Sequence, residues 1–185
     1  EDGSLACVNW VFNGWGAQSW ANYENDSKIA KEIAGFLGAP RVDSDMVNEG
    51  GGIHVNGQGQ VLLTETVQLD PGRNPNWTKE QVEEELSRTI GVSDFVWLKQ
   101  GLTRDYDEFG TRGHVDIVAC YLPDQRVLFH DQKNQNHPDF SVSEAVKKQL
   151  VDAELAPVSL PAPTTLRDDE GFVDYSYVNH YVMNC

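Results

Sequence analysis

Apolar residues recur at helical spacing in three stretches of the chain. Over residues 26–37, Ile29, Ile33, Phe36 and Leu37 fall on one face, and Gly38 followed by Pro40 stops the run. Over residues 78–90 the start is marked by Thr78, a good N-capping side chain, and Gln81 three positions on completes a capping box before Gly91 ends the helix. Over residues 142–154, Val142, Val146, Leu150 and Val151 keep the period until the approach to Pro157. Between these stretches the pattern is extended. Residues 41–46 read as a strand, followed by a glycine-bearing segment at 49–52. Residues 53–56 and 60–66 then read as a hairpin around Asn56-Gly57. After the second helix come a strand at 95–99, a loop, a strand from 113 to 121, a turn at Pro123-Asp124 and a strand at 127–130. Residues 162–170 are rich in Pro, Thr and Asp and read as an exposed loop.

The order helix, strand, loop, hairpin occurs twice, with the two stop glycines, Gly38 and Gly91, 53 residues apart, and the third helix opens a further unit. Repetition on this scale predicts α/β modules stacked in an array or around an axis. A plain α+β sheet with a fortuitous likeness between its halves is the alternative.

Composition narrows the picture. A chain of 185 residues suits one domain with no internal boundary and can bury roughly 70% of its unfolded surface. No apolar run approaches the ~20 residues of a membrane helix. The net charge of -15 argues against nucleic acid, whose phosphates need Lys and Arg, and against anionic membranes. An acidic field draws small cations, although acidity also serves solubility alone. The three cysteines, Cys7, Cys120 and Cys185, form no CxxC and no even framework, which suits a reducing compartment. Cys120 lies in an apolar run and reads as a buried hydrophobe. No leader-like pattern opens at Glu1, so a cytoplasmic setting is expected.

The candidate chemistry lies in Glu49, His114 and Asp116. On a strand, His114 and Asp116 at i and i+2 would share one face and Val115 and Ile117 the other. An imidazole beside a carboxylate can bind a cation and move a proton, but a solvent-facing polar pair is equally compatible with the pattern. Glu49 precedes three glycines, where backbone can approach a ligand closely. It occupies the same point of the repeat as His114, just before a hairpin. Metal binding by His54, His114 and Asp116 is the competing chemistry, without a supporting motif. His130, His137 and His180 read as surface or hydrogen-bonded histidines. No nucleophile elbow, Walker loop or dinucleotide fingerprint is present.

Several stretches resemble one family. Asn48-Glu-Gly-Gly-Gly-Ile-His-Val-Asn-Gly-Gln-Gly-Gln-Val-Leu-Leu-Thr-Glu, Asn74-Pro-Asn-Trp-Thr-Lys-Glu-Gln-Val-Glu, Trp97-Leu-Lys-Gln-Gly-Leu and Gly113-His-Val-Asp are similar to agmatine deiminases, a family that includes bacterial peptidylarginine deiminases. So are Val8-Asn-Trp-Val-Phe-Asn-Gly-Trp-Gly and Ser176-Tyr-Val-Asn-His-Tyr-Val-Met-Asn. The resemblance implies an α/β propeller of ββαβ modules around a pseudo-fivefold axis, of which residues 1–185 would supply roughly three. It implies a hydrolase that converts a guanidinium group to a ureido product and ammonia through a Cys adduct, acting on agmatine on a route to putrescine, with no cofactor and no metal. His114 would be the acid and base, kept protonated by acidic neighbours. Asp116 would hold the guanidinium nitrogens, and Glu49 would orient His114 and contact the substrate. The family's nucleophile lies in a Gly-x-x-x-His-Cys-type segment expected beyond Cys185, which itself aligns with a glycine. Its Arg-Asp-x-Gly-Pro motif is expected upstream of Glu1. The chain alone is therefore expected to be nearly inactive, and to self-associate or to associate with the remaining modules. Arg112 replaces an acid common in the family. A peptidyl-arginine substrate and a non-catalytic guanidine-binding module are the alternatives.

Overall fold

The computed structural model describes residues 5–180. They form two compact units: the residues up to Glu49 with Gln68–Ser93, and Gly50–Val67 with the residues from Asp94 on.

The first unit contains β1 (Cys7–Val11), α1 (Ile29–Leu37), β2 (Arg41–Val47) and α2 (Lys79–Ile90). Strands β1 and β2 pair in parallel, with Cys7 opposite Arg41 and Val8 opposite Val42; a register shift between Asn9 and Val11 brings Val11 opposite Val47. Helix α1 packs on β1, and α2 packs on β2. Two of the chain's punctuation signals work as expected. Gly38, at φ 60°, ends α1 in the left-handed conformation. At the start of α2 the Gln81 amide donates to the Thr78 hydroxyl (3.3 Å) while the Gln81 side chain accepts the Thr78 amide (2.9 Å).

The apolar face of α1 does not point inward. Such a face ordinarily meets a core. Here Ala34 is buried and Ala30 half-buried, whereas Ile29, Ile33, Phe36 and Leu37 are 54%, 49%, 86% and 51% exposed.

The second unit repeats one pattern twice. Strands β3 (Ile53–Val55), β4 (Gln60–Thr64) and β5 (Asp94–Leu98) form a sheet in which β3 runs antiparallel and β5 parallel to β4. Strands β6 (Ala119–Tyr121), β7 (Val127–Asp131) and β8 (Pro157–Pro161) repeat that order. Helix α3 (Asp139–Asp152) links β7 to β8, and it touches β7, β8 and β5. Leu62, Val96, Leu98, Phe129, Val142, Val146 and Leu150 belong to one continuous buried cluster in this unit. A short hairpin, β9 (Arg167–Asp168) with β10 (Gly171–Phe172), reaches into the stretch expected to be a loop.

The main departure from the sequence reading is local and bears on the site. Residues 113–121 do not form one strand. His114 leads into a 3-10 turn at Val115–Ile117, and only Ala119–Tyr121 is extended.

Candidate functional site

Because His114 and Asp116 flank the start of a turn, the alternation of a strand does not set their directions. Both side chains nevertheless lie against Gly51. A methyl carbon at position 51 would lie 2.7 Å from Asp116 Oδ2 and closer still to His114 Nδ1, so imidazole and carboxylate both rest against the bare α-carbon. His114 is buried and Asp116 half-buried. Asn179 Nδ2 donates to Asp116 Oδ2 at 3.0 Å. Burial pushes the Asp116 carboxyl up from its ordinary range; the His114 imidazole opposes that, the Asp105 carboxylate adds to it, and the Ile117 amide and Asn179 pull it back.

The loop before His114 is held on several sides. The Thr64 hydroxyl, at the end of β4, donates to the Gly113 carbonyl at 2.7 Å. Gly113 has φ 109°, and a side chain there would collide with the Thr66 and Tyr106 hydroxyls, so only glycine fits. Those two hydroxyls share a hydrogen bond of 2.8 Å. Buried Asp105, in the 3-10 turn Thr103–Tyr106, accepts bonds from residues 111, 113 and 114. Sequence reasoning passed over Asp105 because its partners lie six to nine positions on in irregular backbone. Asn179 lay in a quoted motif but carried no assigned role.

Glu49 belongs to the first unit, where its described partner is an internal guanidinium. Arg73 Nε donates to both Glu49 oxygens at 3.0 and 3.1 Å, and Nη1 donates to Asp70 Oδ2 at 2.8 Å. The Arg73 side chain is wholly buried. Asp70 Oδ1 also caps the Gly72 amide at 2.7 Å. Asn74 braces the end of β2: its Oδ1 accepts the Val47 amide at 2.9 Å and its Nδ2 donates to the Val47 carbonyl at 3.0 Å. Gln68 Nε2 reaches Asn48 Oδ1 at 3.1 Å. The chain leading to Glu49 is thus fixed by side-chain amides. Asn13 ties the Asn13-Gly-Trp-Gly stretch to the same loop through the Gly72 carbonyl (2.9 Å). None of Asp70, Arg73 and Asn74 was singled out as a site residue, although Asn74 opens one of the quoted motifs.

The remaining candidates divide clearly. Burial raises the Cys120 thiol, the opposite of an activated nucleophile. Cys185 lies outside the described residues. His54 Nδ1 accepts the Tyr121 amide at 3.2 Å. His137 is buried between the Asp139 amide (3.1 Å) and the Val173 carbonyl (2.9 Å). His130 is buried too, and its imidazole is pushed down by desolvation. His180 Nδ1 lies 2.7 Å from the Val178 carbonyl oxygen. Arg112 is exposed at φ 68°, and its amide donates to the Asp105 carbonyl at 2.8 Å. Among the described residues no group of three or more His, Cys, Asp or Glu is placed to hold a metal ion. None of the described helices is long and apolar enough to cross a membrane.

The comparisons with known proteins agree with these motifs. A protein of Streptomyces coelicolor named "Putative agmatine deiminase" is 50% identical over 189 residues, covering 98% of this chain and 56% of that protein. A protein of the same name from Streptomyces avermitilis is 52% identical over 190 residues, covering 98% and 55%. The solved agmatine deiminase of Enterococcus faecalis superposes with a TM-score of 0.83 at 30% identity, over 96% of this chain and 55% of that one. A C. jejuni agmatine deiminase with substrate bound superposes with a TM-score of 0.85 at 23% identity over 96% and 52%, a likeness of fold. The chain thus spans about half the length of the curated relatives it matches. The model of the Porphyromonas-type peptidyl-arginine deiminase family matches residues 2–185, and the chain belongs to that family.

Proposed function

We propose that this chain carries the proton-transferring and substrate-holding part of an agmatine deiminase. The observation that supports this most directly is the pairing of His114 and Asp116 on Gly51, with Asn179 bonded to the carboxylate. An ionised Asp116 offers two oxygens to the N–H groups of a planar guanidinium, the geometry such cations favour. His114 gives a proton to the departing ammonia and then takes one from the water that cleaves the covalent adduct. The attacking thiolate belongs to a cysteine in a glycine-rich segment outside residues 1–185. Glu49 supplies a further carboxylate, a role that rests on its motif. The product is N-carbamoylputrescine, on a cytoplasmic route to putrescine. The fold in this reading is a partial α/β propeller, supported by the two sheets of equal strand order.

Ammonia release and ureido-product colorimetry test the reading. The 185-residue chain should show no robust turnover of agmatine, whereas a longer chain that includes the glycine-rich Cys segment should, and its His114→Ala variant should not. Robust turnover by the chain alone would overturn the assignment of the nucleophile. The family's name makes peptidyl-arginine the natural second substrate. Faster turnover of a peptidyl-arginine than of agmatine would reverse the choice.

A further inference from the structure

Asp105 belongs to none of the quoted motifs, yet four donors from one short loop converge on it. Its Oδ1 accepts the Thr111 amide at 2.7 Å. Its Oδ2 accepts the Thr111 hydroxyl at 2.6 Å, the Gly113 amide at 2.7 Å and the His114 amide at 3.1 Å. Asp105 is 7% exposed, so solvent offers these groups little alternative. An ionised carboxylate only accepts, with about four lone-pair sites, and therefore matches this demand. An Asn side chain would not, because whichever oxygen its amide nitrogen replaced, an N–H would face another donor.

We infer that Asp105 is a positioning residue for His114: by fixing the backbone of residues 111–114 it sets where the imidazole meets Gly51 beside Asp116. The contacts around the loop point the same way. The Thr64 hydroxyl holds the Gly113 carbonyl, the Tyr106 hydroxyl accepts the Gly101 amide at 2.9 Å, and the Gly101 and Gly113 backbones touch. Each of these fixes Gly113 or its surroundings, whereas Asp105 bonds the His114 amide itself. The importance of the role rests on reading His114 as the proton-transfer group; the geometric claim does not.

Two readouts by nuclear magnetic resonance on the labelled chain test it without turnover. In the wild type the Gly113 and His114 amides should exchange slowly with solvent, and the His114 ring should show a through-space contact with the Gly51 α-protons. In Asp105→Asn exchange at both amides should rise at least about tenfold, the size expected when a buried donor loses its acceptor. The ring contact should weaken, while the Leu62 and Phe129 amides stay as they were. Thr111→Val, which removes one donor of the four, should leave the ring contact in place. Unchanged exchange and an unchanged ring contact in a folded Asp105→Asn would overturn the inference. If that variant does not fold, the other two decide. Slow exchange with an intact ring contact in both supports the role, and rapid exchange at Gly113 and His114 in the folded wild type refutes it. A negative agmatine assay would leave this result standing, so the two failures are separable.

Discussion

Helices α1 and α3 each join two parallel strands, β1 to β2 and β7 to β8, but they turn different residues inward. Helix α3 buries Val142, Val146 and Leu150 in a continuous apolar cluster. Helix α1 gives its sheet only small alanines and leaves Ile29, Ile33, Phe36 and Leu37 outside. What lies inside the first unit is correspondingly more polar: Arg73, Glu49, Asp70 and Asn74 are all buried. One unit buries a continuous apolar cluster; the other sets a charge-paired guanidinium and side-chain amides beside a smaller apolar set that includes Met46, Val82 and Leu86. The first kind of cohesion tolerates apolar swaps that conserve volume; the second depends on each partner being present.

The contrast can be broken in several ways. The largest expected effect is at Val146, 2% exposed, where Val146→Asp puts a carboxylate into the core of the second unit at a cost of about 5 kcal/mol. Ile33→Asp, at 49% exposure, should change stability by no more than about 0.5 kcal/mol. Urea unfolding of both variants measures the difference, and equal losses would mean that the α1 face is covered in solution. Next is Arg73→Met, which strands two buried carboxylates and should cost about 3–5 kcal/mol, read as a lower unfolding midpoint. Thr78→Ala removes one half of the α2 capping box and should cost about 1 kcal/mol, seen in the same titration.

The smallest effect is a slope. Burial raises the folded-state carboxyl of Asp116 above its ordinary value of 3.8, so the folded chain binds its proton more tightly than the unfolded chain does. Stability from this group is present below pH 3.8 and falls as pH rises from there through the raised folded value. Asp116→Asn should remove that decline, so the variant should gain on the wild type across the window. A constant difference between the two at every pH would refute it.

Local signals in the sequence were readable where one residue type has one physical use. Thr78 with Gln81, and the glycine stop at Gly38, act within a few positions of themselves. So does Asn56, whose Oδ1 accepts the Gln58 and Gln60 amides at 2.8 and 3.0 Å in the predicted hairpin. The repeat was readable as well, because two sheets of equal strand order leave equal patterns of extended and helical stretches. The direction of α1 was not, since a period of 3.6 shows that a face exists but not what covers it. The His114–Asp116 pair was proposed on a strand argument that fails, because the backbone turns at Val115–Ile117; the two side chains still lie together, since a tight turn can also bring i and i+2 near each other. Asp105 and Arg73 left no periodic trace: each acts on irregular backbone or on a distant side chain, which spacing does not encode.

Position 51 sits at the foot of the candidate site without contributing a side chain. A single methyl group there would stand where the imidazole and the Asp116 oxygen now rest. If the site works as proposed, Gly51→Ala would therefore act in the longer chain as an inhibitor built into the protein, permanently bound and impossible to dilute away. In the longer chain that includes the glycine-rich Cys segment, screening every residue type at that position should return glycine alone among active sequences, even though the substitutions leave each charged group of the site intact.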